Sequence, residues 1–150
     1  MTPREMIRAN AEMVVAQLRE ASGMEGFGYN AESVAWLDGF IERQRVRPEF
    51  ADGAAERLSQ TLGSFLGECV VRCYGGEWRE ADGSWAVCFG GSDNAAYPFN
   101  KVRKQFANGA GDSVLSWFET IPVLFAQQLG ATPEPPPPKK RPWWKLGRDR

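Results

Sequence analysis

Leu62-Gly63-Ser64-Phe65-Leu66-Gly67-Glu68 and, a little further on, Gly75-Gly76-Glu77-Trp78 mark where this chain changes from helix to strand. Leu58, Leu62, Phe65, Leu66, Cys69 and Val70 recur at helical spacing, so a helix capped by Asp52 is expected to reach about Arg72. A turn into a strand at Glu68 is the alternative. Gly63 and Gly67 share one helical face, where the missing side chains let another backbone come close at some loss of helix propensity. Gly75-Gly76 then breaks the pattern. Glu77 to Glu80 and Ser84 to Phe89 flank Ala81-Asp82-Gly83 as a β-hairpin, with Trp85, Val87 and Phe89 alternating toward one side.

Upstream the period is helical. Thr2-Pro3-Arg4-Glu5 is a capping box with proline at the first helical position, where its missing N–H costs nothing. Ile7, Ala11, Val14 and Leu18 line one face, the opposite face is charged, and Gly23 offers an exit. Gly26-Phe27-Gly28-Tyr29 reads as a loop. Asn30 caps a second helix through Val34, Leu37 and Ile41 that stops before Pro48, its apolar side widened by Trp36 and Phe40.

Downstream, Gly90 to Asn94 is a loop by composition, and Ala95 to Phe99 is expected to return as an edge strand because of Pro98. Asn100 caps a helix that turns Val102 and Phe106 inward and closes at Asn108-Gly109. Asp112 caps another, with Val114, Leu115, Trp117, Phe118 and Ile121 apolar and Pro122 kinking or restarting it before Leu129. The fold class that follows is α+β: a helix-rich single domain over residues 1–130, packed on a small antiparallel sheet of the hairpin and the edge strand.

Pro133 and Pro135 to Pro138 set residues 131–150 apart as a stiff polyproline spacer followed by a basic segment, with too few apolar residues to offset the entropy of ordering. A disordered tail is expected. The formal net charge of −1 conceals +5 over residues 139–150 and −6 over the rest, which directs the tail to an acidic surface of this protein or of a partner. Lys139, Lys140, Arg141, Trp143, Trp144 and Lys145 form its recognition segment. They fit a membrane-surface anchor, a linear motif for a protein partner, or single-stranded nucleic-acid contact, the last opposed by the acidic body; a solubilising end is the plain reading.

No apolar stretch approaches the ~20 residues that span a bilayer, and charges throughout the first helix leave no signal-like region. A cytoplasmic location is expected, with peripheral membrane attachment through the tail as a variant. Cys69, Cys73 and Cys88 are too few for a disulfide framework and read as reduced thiols. The absence of histidine removes the commonest general base and metal ligand, and without a Cys-x-x-Cys pair the three thiols fall short of a zinc set. No metal and no cofactor is expected. Ser92 beside Asp93 lacks a nucleophile elbow and a base, and its loop lacks the Gly-Lys-Ser/Thr ending of a phosphate loop. Glu68 reads as a half-buried carboxylate paired with Arg72, one helical turn on. Lys101, Arg103 and Lys104 with Arg79 make a candidate anion-binding patch, against which the plain reading is a solvated face.

The stretches quoted at the outset, followed by Pro98-Phe99-Asn100-Lys101-Val102, Asn108-Gly109 and Asp112-Ser113, resemble small uncharacterised bacterial domains of unknown function over roughly residues 54–120. Similar families include proposed immunity partners of bacterial toxins, so the resemblance implies a binding protein with no active site. The expected function is a non-catalytic protein-binding domain, a bacterial immunity or accessory protein. It would use Glu68, Arg72, Trp78, Arg79, Lys101 and Lys104 on its folded surface and the tail as a second tether. The rival from another class is a small-ligand binder or enzyme using Glu68, Arg72 and Lys101, with Arg79 and Ser92 around the hairpin. A third is a peripheral membrane protein held by the tail. Nucleic acid is not an expected partner.

Overall fold

α1 (Pro3–Ser22) starts where its capping box places it: Thr2 Oγ1 accepts from the Glu5 N–H at 3.1 Å and Glu5 Oε1 from the Thr2 N–H at 2.8 Å. It buries Ile7, Ala11, Val14, Val15 and Leu18 and ends at Gly23, whose φ of 70° suits a residue without Cβ. The loop that follows folds inward. Phe27 is fully buried and stacks on Phe65 at 5.4 Å, and Arg19 donates to the Phe27 carbonyl at 2.9 Å. Asn30 Oδ1 then accepts from the Ser33 N–H at 2.8 Å and opens α2 (Ala31–Arg45), which buries Val34, Leu37 and Ile41.

The computed structural model describes residues 1–48, 50, 53–90 and 94–125. Its centre is α3 (Ala54–Tyr74), buried without interruption from Leu62 to Val70, as a helix inside a core must be. The alternative strand at Glu68 is therefore excluded, and the helix passes Arg72 to end at Tyr74 against Gly75. Its N-cap is Gly53, which makes no side-chain cap bond; Asp52, the expected cap, lies outside the described residues.

β1 (Glu77–Ala81), β2 (Ser84–Cys88) and β3 (Ala95–Ala96) form an antiparallel sheet in that order. Asp82 and Gly83 make the hairpin turn with φ of 52° and 78°, the positive values that a two-residue turn matched to strand twist requires. Register pairs Trp78 with Val87 and Val87 with Ala96, so these three residues share one face.

Two expected starts move. The third strand stops at Ala96, and Pro98 begins α4 (Pro98–Asn108), because at the first helical position its missing donor is no loss. Tyr97, not Asn100, stands at the cap. A 3-10 turn (Gly109–Asp112) follows, and Ser113, not Asp112, caps α5 (Val114–Leu124) by accepting from the Ser116 N–H at 3.1 Å. α5 continues through Pro122 to Leu124 and does not restart there; Leu129, Gly130 and the whole of the expected tail lie outside the described residues, as do Ser92 and Asp93.

The packing is α1 and α4 against α3, and α2 against α5. Arg45 joins the two halves by donating to the Phe106 and Ala107 carbonyls at 3.0 and 3.2 Å, a cation on the carbonyl end of α4. The α+β class, helix-rich with a small antiparallel sheet, is thus as the sequence reads. Among the described residues no helix is long and apolar enough to cross a membrane.

Candidate functional site

α4 and the sheet reach α3 through its two interior glycines. A methyl group added at Gly63 would lie 2.9 Å from the Cα of Phe99, the close backbone approach that the spacing predicts. At Gly67 the visitor is a side chain, the indole of Trp78, with the Pro98 ring 3.0 Å away. Trp78 is buried, and an indole N–H taken out of water needs an acceptor. Glu68 supplies it: Trp78 Nε1 donates to Glu68 Oε2 at 2.9 Å, and Arg72 Nε donates to Glu68 Oε1 at 3.1 Å.

The expected Glu68–Arg72 pair is therefore present, but the carboxylate is only 4% exposed rather than half-buried, and both of its oxygens are engaged. Arg72 lies over the Tyr29 ring at 4.0 Å, the Tyr29 hydroxyl donates to Glu12 Oε2 at 2.9 Å, and Arg72 Nη2 stands 3.7 Å from the same oxygen. Burial, followed by the hydrogen bond to Glu12 and its charge, pushes the Tyr29 hydroxyl far above its ordinary range, so it remains a donor. One polar chain thus ties α1, the loop after it, α3 and β1.

Above this chain opens a cavity of about 370 Å³ lined by Arg4 and Arg8 of α1, Glu68, Val71 and Arg72 of α3, and Gly76, Glu77 and Trp78 at the start of the sheet. Arg4 and Arg8 lie one turn apart, are exposed, and form no ion pair or hydrogen bond among the described residues. Sequence reading took them only as part of a charged helix face. Glu5 and Glu12 on the same helix keep their negative charge while accepting from Thr2 and Tyr29, and Arg8 acts through space on Glu5.

A second cavity, of about 320 Å³, lies between α1 and the hairpin turn, with Met6, Ile7 and Asn10 on one side and Trp85 and Phe99 on the other. Gln60 and Ser64 line it, Glu68 and Arg72 line the first, and all four belong to one i, i+4 row of α3. The two cavities therefore follow each other along that helix.

The remaining predicted residues go elsewhere. Arg79, next to Trp78 on β1, points to the opposite face, where Nε donates to Glu77 Oε1 at 2.7 Å. Lys101 Nζ meets Asp112 Oδ1 at 3.3 Å, and Lys101 and Lys104 line a separate cavity with Tyr97 and Trp117. Arg103 forks onto Glu56 at 2.8 and 2.9 Å. The expected anion patch of Lys101, Arg103, Lys104 and Arg79 is thus dispersed over different partners: each of Lys101, Arg103 and Arg79 has its own carboxylate.

Gln105, fully buried, is a polar centre that the sequence reading passed over. Its Nε2 donates to Glu42 Oε2 at 2.8 Å and Asp38 Oδ1 at 3.2 Å, and its Oε1 accepts from the Val114 N–H at 2.8 Å. Asp38 Oδ2 accepts from the Leu115 N–H at 3.1 Å and from the Ser113 hydroxyl, a carboxylate at the start of α5 where the helix dipole favours it. Its place beside Phe106 on the inward face of α4 was the available signal.

Cys69 and Cys88 are buried, Cys73 is exposed, and all three are free thiols. Burial, with smaller contributions from Cys73 and Glu68, pushes the Cys69 thiol well up, away from the thiolate that nucleophilic chemistry needs. Among the described residues no group of three or more cysteines and carboxylates is placed to hold a metal. Comparison with protein-family models, with curated proteins and with solved structures finds nothing that matches this chain.

Proposed function

We propose that this chain is a non-catalytic domain that binds another protein through α1 and the sheet beside it. One observation carries the reading: Met6 and Met13, two turns apart on one face of α1, are 52% and 41% exposed, and Met6 lines the open cavity between α1 and the hairpin turn. A row of flexible, polarizable thioethers held in water is poorly explained by folding and well suited to repacking against a partner surface. The groups that reaction chemistry would need are already engaged, Glu68 by Trp78 and Arg72 and Lys101 by Asp112. The resemblance over roughly residues 54–120 supports the same reading and gives its specific form, a bacterial immunity or accessory protein. The basic tail adds a second tether that raises avidity.

The test is affinity capture from the native host with the full chain, a Met6→Glu/Met13→Glu variant and a chain ending at Gly130, confirmed by reciprocal capture. A specific partner kept by the shortened chain and lost by the variant is the expected result. No specific partner for any of the three, or one indifferent to the methionines, overturns the assignment to this surface.

A further inference from the structure

We infer that residues 139–146 of this chain fold back onto its own body and seat Trp143 and Trp144 in the cavity between α1 and the hairpin turn. The contact is internal, so it goes beyond the protein-binding reading and does not depend on it. Where a partner uses α1, partner and tail compete for Met6, and the tail is a cover that the partner displaces.

The cavity fits what the segment carries. Its volume is about 320 Å³, Met6, Ile7, Trp85 and Phe99 give it apolar walls, and Met6 leaves a thioether in water at its mouth. Indole rings pack favourably on thioethers and on other aromatic rings. An indole that leaves water also needs an acceptor for its N–H, and the Asn10 amide that lines the cavity has no hydrogen bond among the described residues. In residues 139–146, which lie outside the described ones, Trp143, Trp144 and Leu146 are the apolar side chains beside four cations and Pro142.

Charge favours the same place. Register sets Glu80 directly opposite Trp85, on the cavity's face of the hairpin, and Asp82 in the turn adjoins Gly83, which lines the cavity. Neither carboxylate has an ion pair or a hydrogen bond among the described residues. Arg103, which also lines this cavity, is matched by Glu56, while Arg4 and Arg8 line the other one. The hairpin side of the mouth thus keeps two unmatched carboxylates, and residues 139–150 carry +5.

The chain is long enough. Phe125 packs on Phe89 at 4.6 Å, just beyond the end of β2 that lies away from the cavity. Eighteen residues separate it from Trp143, which at ~3.1 Å each in polyproline form span about 55 Å, against a body about 35 Å across. A segment tethered at that range acts at a local concentration of order millimolar, so the chain's own tail is favoured over that of a second copy.

Carbodiimide cross-linking of the full-length chain, read by mass spectrometry on the monomer fraction, tests this. Lys139, Lys140 and Lys145 should couple to Glu80 and Asp82 in preference to exposed carboxylates of α2 and α5 such as Glu32 and Glu119. Trp143→Ala/Trp144→Ala keeps every charge and leaves the core untouched, and it should lower the yield of these cross-links about tenfold. Met6→Gln, on the body's side of the contact, should lower it too. In proton–nitrogen NMR spectra the same tail substitution should shift the Trp85 indole signal and leave those of Trp36 and Trp117, which lie away from the cavity, in place. Cross-links spread evenly over the carboxylates or gathered on another face overturn the proposal. So does a yield that survives loss of both tryptophans, which would leave charge alone holding the tail, or a Trp85 signal that does not move. Cross-links confined to a dimer fraction overturn it as well, by making the tail of a second copy the occupant.

Discussion

Glu68 and Gln105 are both buried, at 4% and 0% exposure, and each joins elements distant in sequence, yet they face different surroundings. Glu68 accepts from one indole and one guanidinium at the rim of a cleft, and Arg72 keeps 46% of its side chain in solvent. Gln105 lies where α2, α4 and α5 meet, donating to two carboxylates and accepting from the backbone that starts α5. A polar centre at a rim can hand a lost hydrogen bond to water, whereas a closed one cannot. The closed centre should therefore be the stiffer and the less tolerant, and the open one the place where polar groups remain available to a ligand.

Removing the closed centre gives the largest expected effect. Gln105→Leu strands the Val114 N–H and leaves Asp38 and Glu42 without their shared donor, for a loss of about 3 kcal/mol in urea unfolding. A smaller loss than for Glu68→Leu would break the comparison. Next comes Gly67→Ala, whose methyl group meets the Trp78 indole and should cost about 1–3 kcal/mol by overpacking. Combined with Trp78→Leu, the second substitution should cost much less, because the clash leaves with the ring; strict additivity would show that the glycine is kept for another reason. Glu68→Gln retains an acceptor for Trp78 Nε1 and loses the charge facing Arg72, for about 1 kcal/mol. A loss as large as that of Gln105→Leu would mean that water does not reach the rim.

The same contrast explains what could be read from the sequence. Thr2 with Glu5, and Asn30, were legible because one capping residue stands alone before each periodic run. Near α4 and α5 several cap-forming residues lie within a few positions, and tertiary packing chose Tyr97 with Pro98, and Ser113, over Asn100 and Asp112. Glu68 with Arg72 was legible because helical neighbours four apart must meet. That Trp78 completes the pair depends on how the hairpin folds back over Gly67, which no local spacing encodes. Gln105 depends on contacts across more than sixty residues of sequence, which no local pattern encodes.

The exposed Arg103–Glu56 pair gives the smallest effect and a control for both buried centres. Hydrogen bonds from Arg103 and then Gln60 hold the Glu56 carboxyl at about 2, below its ordinary value of 4.5. A depressed carboxylate contributes stability that is fully present above its unfolded value and is lost as pH falls through the folded one. The melting temperatures of the parent and an Arg103→Gln variant should therefore differ by a small constant amount above about pH 5, and the gap should close between roughly pH 4.5 and 2. High salt should shrink the gap throughout, because both side chains are in solvent where charges are screened. A gap that persists to pH 2 would assign Arg103 a packing role between α3 and α4. The difference between buried and exposed polar contacts in this fold would then owe less to charge than to the hydrocarbon that carries it.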